Sequence, residues 1–151
     1  MKKIVYILGI FLLIGSSSFS QQMKRHKIEA LKTSYITTTL ELSPQEAEKF
    51  WPVYNKYTRK IQSLKMSLEG GLQRKIKLSG GFDSLSEEQA EDFINEIITI
   101  EQQITDNQKL LMKELSNIIS YKKIIHLKKA QRDFNRRILQ EYGRRRGQKR
   151  Q

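Results

Sequence analysis

Between Ala90 and Ile118 an apolar residue returns at every seventh position: Ala90, Ile97, Ile104, Leu111 and Ile118. Phe93, Ile94, Ile100 and Leu115 flank the row. Seven residues make two turns of α-helix, so the row lies on one face and has to be covered lengthwise by a second long helix. A strand would need apolar residues at alternate positions, and they do not fall that way here.

The stretch just before this row, LSEEQAEDF at 85–93, repeats an earlier one, LSPQEAEKF at 42–50. Both read as helix-start devices. Ser43 and Ser86 are good N-caps, and Glu46 and Gln89 stand where a side chain reaches back to complete a capping box. Leu42 and Leu85 precede the caps, and Leu42 is placed to fold over Ala47 as a hydrophobic staple. Pro44 suits the first helical position, where its missing N–H had no partner to lose. From there the stripe Ala47, Phe50, Tyr54, Tyr57, Ile61, Leu64, Leu68 and Leu72 continues on one face. Pro52 should kink this helix, because it removes one hydrogen bond and crowds the carbonyl four residues back. Gly70 and Gly71 should soften it rather than end it, since Leu72 and Ile76 keep the register.

GGFDS at 80–84 is a turn, so the two capped helices are expected to fold back on each other. Their charges agree: residues 44–78 hold eight basic and three acidic side chains, and residues 86–118 hold two and eight. Exposed pairs of this kind add only tenths of a kcal/mol each, so they select geometry more than they stabilise it. At ~1.5 Å per residue each helix would be about 50 Å long.

A further stripe at Ile28, Leu31, Tyr35, Ile36 and Leu40 predicts a first helix over about 23–40. A weaker echo of the repeated phrase, ISYKK at 119–123, precedes a fourth with Ile124, Leu127, Phe134, Ile138 and Tyr142 on its face. The starts at Leu42, Leu85 and Ile119 are unequally spaced, which argues against a solenoid. The expected fold is therefore all-α: four amphipathic helices dominated by a long antiparallel hairpin, elongated, over residues 21–142. A basic, disordered tail is expected at 143–151, because like charges repel and cannot bury a core.

The first twenty residues differ from the rest. Lys2 and Lys3, an apolar run from Ile4 to Ile14 and GSSSFS follow the order of a secretory signal peptide. The run is too short to span a bilayer. Cleavage is expected after Ser20, with Ser18 and Ser20 as the small residues the peptidase reads; an uncleaved anchor is the other reading. The mature chain would then carry a net charge of +10. Residues 121–151 hold 12 basic and 2 acidic side chains, so the whole excess lies at the C-terminal end. In an exported protein such a charge points to acidic polypeptides or anionic membrane surfaces and away from nucleic acid.

The chain has no cysteine, which excludes a disulfide scaffold and a thiol nucleophile. It has no phosphate loop, nucleophile motif or paired-histidine zinc signature, so no enzyme and no cofactor are expected. Met23, His26 and Glu29 fall one turn apart, and a metal site there is the weakest of the readings, for want of a fourth donor and supporting hydrogen bonds. The candidate partner contacts are Trp51, which lies off the main stripe, Arg136 and Arg137 on the fourth helix, and Arg144, Arg145 and Arg146 in the tail.

LSPQE and LSEEQ at helix starts, with ISYKK before the last helix, resemble the Spy/CpxP-like family, whose motif is L-T-x-x-Q. LSEEQ fits with Ser for Thr, LSPQE ends in Glu, and ISYKK keeps only the apolar-Ser pair. AEKFWPVYNKY and KKAQRDFNRRIL look like a branch often labelled as sensors of extracytoplasmic-function sigma factors. The resemblance covers roughly residues 25–140. It implies a helical, non-enzymatic periplasmic protein, often a homodimer, that binds unfolded polypeptides. Two further readings stay open: a regulatory partner of a membrane-bound stress sensor or anti-sigma factor, and a metal sensor.

Overall fold

The computed structural model describes residues 26–148, without the side chains of Tyr142 and of residues 145–148. The expected signal peptide, its cleavage point and Met23 lie outside the described residues. Four helices are present and, among the described residues, no strand: α1 (26–39), α2 (Pro44–Leu78), α3 (Glu87–Ser116) and α4 (Tyr121–Gln148). No described helix is long and apolar enough to cross a membrane. The chain packs as two units where the sequence suggested one domain. One is Leu42–Ile125; the other joins the segment ending at Glu41 to the segment beginning at His126.

In the first unit α2 packs against α3. Two cross-ties establish an antiparallel register: Tyr57 donates its hydroxyl hydrogen to Glu114, and Lys75 pairs with Glu96. From the first tie to the second is eighteen residues along α2 and eighteen back along α3. The helices thus run side by side without slipping. Pro52 and the glycine pair at 70–71 are carried inside α2, which is one continuous helix. Pro52 itself is exposed, so water can satisfy the carbonyl that its missing N–H leaves without a helical partner.

The connection is built by glycine. The Gly81 N–H bonds to the Ile76 carbonyl at 2.9 Å and the Gly80 N–H to Lys77 at 3.2 Å, the pattern of a Schellman motif. Gly80 has φ +90°, a conformation that costs an L-residue with a Cβ. A short 3₁₀ turn, Phe82–Ser84, leads to the second cap.

Burial is concentrated at the end of the hairpin away from this turn. On α2 the buried side chains are Phe50, Tyr54, Tyr57 and Leu64; on α3 they are Ile104, Leu111 and Leu115. The seven-residue row is buried at Ile104 and Leu111 but only half-buried at Ile118, which lies beyond the end of α3. Leu115 (0 % exposed) and Ile119 (4 %) take its place. Leu115 follows Leu111 at the next turn of the helix, and after Ser116 the chain leaves the helix, so Ile118 and Ile119 no longer follow its period.

The second unit is smaller. Ile36 and Leu40 are buried at the end of α1, and Leu127, Ala130 and Phe134 form the buried row of α4. The Tyr35 and Phe134 rings meet at 5.8 Å, and the Arg137 guanidinium stands 5.0 Å over the Tyr35 ring. Just beyond α1, Glu41 turns the chain with a φ of +49°. α4 runs on through Gln148, so residues 143–148 are helical where their composition predicts a disordered tail. Arginine and glutamine are good helix formers, and with no proline after Pro52 the helix meets no obstacle stronger than Gly143 and Gly147.

Candidate functional site

Both capping boxes form. Ser43 Oγ accepts from the Glu46 N–H at 3.2 Å, and the Glu46 carboxylate accepts from the Ser43 N–H at 2.8 Å. Ser86 Oγ likewise accepts from the Gln89 N–H at 3.2 Å, and Gln89 Oε1 from the Ser86 N–H at 3.1 Å. Leu42 and Leu85 are half-buried beside their caps. Because the helices are antiparallel, the two boxes lie at opposite ends of the hairpin. They begin helices and form no common site.

The third echo is half a box. Ser120 Oγ accepts from the Lys123 N–H at 3.3 Å, but a lysine at this position has no acceptor to return. Its ammonium instead donates to Glu46 Oε2 at 2.7 Å, so the same helical position of α2 and α4 is joined across the unit. The carboxylate places negative charge near the start of α4, where Lys122 and Lys123 would otherwise stand at the positive end of the helix dipole. The Lys123 ammonium, then the Ser43 N–H, hold the Glu46 carboxyl below its usual range. Sequence reading saw the weak echo and not the tie, because the partners are 77 residues apart.

Trp51 is half-buried. Its ring meets Phe50 and Tyr54 edge-on at 5.0 and 5.4 Å, while Phe50 and Tyr54 stack at 5.3 Å. These edge contacts and its half-burial make Trp51 as much a packing residue as a contact. Arg136 and Arg144 are exposed; Arg137 is exposed over Tyr35; the Arg145 and Arg146 side chains lie outside the described residues. Arg136 bonds Asp133 at 2.9 Å, and Asp133 also accepts from Lys129 at 2.8 Å. Lys129, and then the guanidinium groups of Arg136 and Arg137, lower the Asp133 carboxyl below its ordinary value.

The half of the hairpin nearest the turn has a different character. From Lys65 to Leu78 on α2 and from Glu87 to Gln103 on α3 no side chain is buried. Met66 (61 % exposed), Leu78 (80 %), Phe82 (76 %), Ile94 (55 %) and Ile98 (58 %) face outward on this arm. Leu68, Leu72, Ile97 and Ile100 line only a shallow notch with Phe93 and Glu96. Ile94 and Ile98, one turn apart beside the seven-residue row, are the signal in the sequence: the row needs one face, and these side chains are surplus to it.

His26 is exposed at the start of α1. Among the described residues, no group of three or more His, Cys, Asp or Glu side chains lies together as metal ligands. No family model, characterised protein or solved structure matches this chain.

Proposed function

We propose that this is a non-enzymatic, chaperone-like binding protein of the periplasm that holds unfolded or partner polypeptides. The observation that carries the reading is the arm: two helices tied in register, with five large apolar side chains exposed and no buried core of their own. Apolar surface displayed on a supported scaffold is what a client with exposed hydrophobic segments can share, and isolated exposed side chains would not suffice. The opposed charge rows, basic on α2 and acidic on α3, suit clients of either sign. The resemblance to the Spy/CpxP-like family points the same way.

The test is suppression of aggregation of a chemically denatured protein at near-stoichiometric amounts and low salt. The double variant Ile94→Ser, Ile98→Ser should weaken protection several-fold while far-UV circular dichroism is unchanged. No protection by the unaltered protein would sink the proposal.

One observation favours a regulatory role. α4 is helical through residue 148 with Arg136 and Arg144 exposed, a structured basic contact for a stress sensor or anti-sigma factor. Deleting residues 144–151 should then derepress an envelope-stress reporter; an unchanged reporter counts against it.

A further inference from the structure

Opposite its buried row of Leu127, Ala130 and Phe134, α4 carries a second row. Lys128, Arg132 and Arg136 follow at four-residue steps, all exposed, and Leu139, 73 % exposed, falls in line three residues on. Each four-residue step rises ~6 Å along the helix, so the cations form a straight line rather than a cluster. Neither Lys128 nor Arg132 enters an ion pair among the described residues. The one acid from Lys128 to Arg136, Asp133, is shared between Lys129, which lies off the row, and Arg136, so one cation of the row carries a partial counter-charge and two do not.

We infer that this face of α4 lies on an anionic lipid surface, with Lys128, Arg132 and Arg136 at the headgroups and Leu139 in the acyl boundary. Complementary charge alone would also suit an acidic polypeptide. Two features favour the bilayer. A straight cationic row meets a plane of phosphates along its whole length, and its flexible stems let the charges reach the headgroups while the helix settles. Leu139 stands in the row itself, where an acidic peptide would leave it in water and a bilayer interface would bury it. The contact goes beyond client binding, because it uses side chains of α4 and none of the apolar side chains of the hairpin arm.

Co-sedimentation of the full chain with vesicles decides the matter, using phosphatidylglycerol–phosphatidylcholine mixtures against phosphatidylcholine alone. Binding through apolar segments alone appears in both, so the ratio of the two reads the electrostatic part. The other cations of the chain, Arg144, Arg145 and Arg146 among them, add to that ratio alike in every variant, so comparison between variants isolates the row. Each cation removed should lower that ratio about fivefold, so Lys128→Gln, Arg132→Gln, Arg136→Gln should lower it about a hundredfold. Leu139→Ser should weaken binding to the anionic vesicles several-fold, and Lys60→Gln on α2 should change nothing. All of these side chains are exposed, so helicity should hold in each variant. A ratio near one for the unaltered protein, or a triple variant that keeps its preference, would overturn the inference. So would tight binding to polyglutamate with none to anionic vesicles, which would make the partner an acidic polypeptide.

Discussion

Replacing Glu46 by glutamine separates the two functions that its carboxylate combines. The second copy of the phrase supplies the control, because Gln89 occupies the same position and completes its box without a charge. Glu46→Gln should therefore keep the reciprocal bond to the Ser43 N–H and lose the attraction to Lys123. That pair is 2.7 Å long with both side chains 26 % exposed, between a surface pair and a buried one, so its loss should cost about 0.5–1 kcal/mol. Glu46→Ala loses the returning bond of the box as well and should cost about 1.5–2 kcal/mol in total. Urea unfolding followed by the fluorescence of Trp51, the single tryptophan, reads this end of the hairpin directly. At a slope of about 2 kcal/mol/M, the glutamine variant should shift the midpoint by about 0.25–0.5 M. A double-mutant cycle with Lys123→Met isolates the coupling. The pH dependence has a definite sign. The folded-state pKa of Glu46 lies below its ordinary 4.5, so its contribution is complete above that value and fades as pH falls through the lower, folded-state value. If the glutamine variant costs as much as the alanine variant, if the cycle returns no coupling at neutral pH, or if the coupling outlasts protonation of Glu46, the ion pair between the two helix starts does not contribute to stability as argued.

Gly70→Ala and Gly71→Ala should each stabilise the hairpin by about 0.5–1 kcal/mol in the same urea assay, since both are helical and an added Cβ meets nothing within 4 Å. Gly80→Ala should destabilise, because φ is +90° and the new Cβ would stand 3.1 Å from Ser84 Oγ. Native-state hydrogen exchange should show the amides of 65–78 and 87–103 opening at lower free energy than those of 50–64 and 104–115, following the absence of buried side chains on the arm. Leu111→Ala, at a site 3 % exposed, should cost about 2–5 kcal/mol; Leu68→Ala, on the half-buried arm, should cost distinctly less.

The helix starts were legible because each is made by neighbours. A serine cap, the N–H three residues on and a returning Glu or Gln lie within four positions, so their bonds form whatever the rest of the chain does. The GGFDS turn was legible for the same reason, and the charge opposition of α2 and α3 correctly indicated an antiparallel hairpin. Local reasoning failed where competition between elements decides. The tail composition argued for disorder, yet a helix already begun at Ser120 propagates through arginines at little cost.

By itself, then, the sequence determined that the chain is helical, where α2, α3 and α4 begin, and that α2 and α3 run antiparallel. These depend on contacts a few residues apart and on the period of the apolar pattern. Only the tertiary structure decided which apolar residues are covered: Leu115 and Ile119 in place of Ile118, and none along the arm that ends at Leu78 and Phe82. It also decided that the Lys123 ammonium, at the motif position where the other two helix starts carry an acceptor, would find Glu46. The physical reason is the same in each case. A period of 3.6 residues and a motif of four specify directions around a helix, whereas burial and ion pairing depend on what another helix places in that direction.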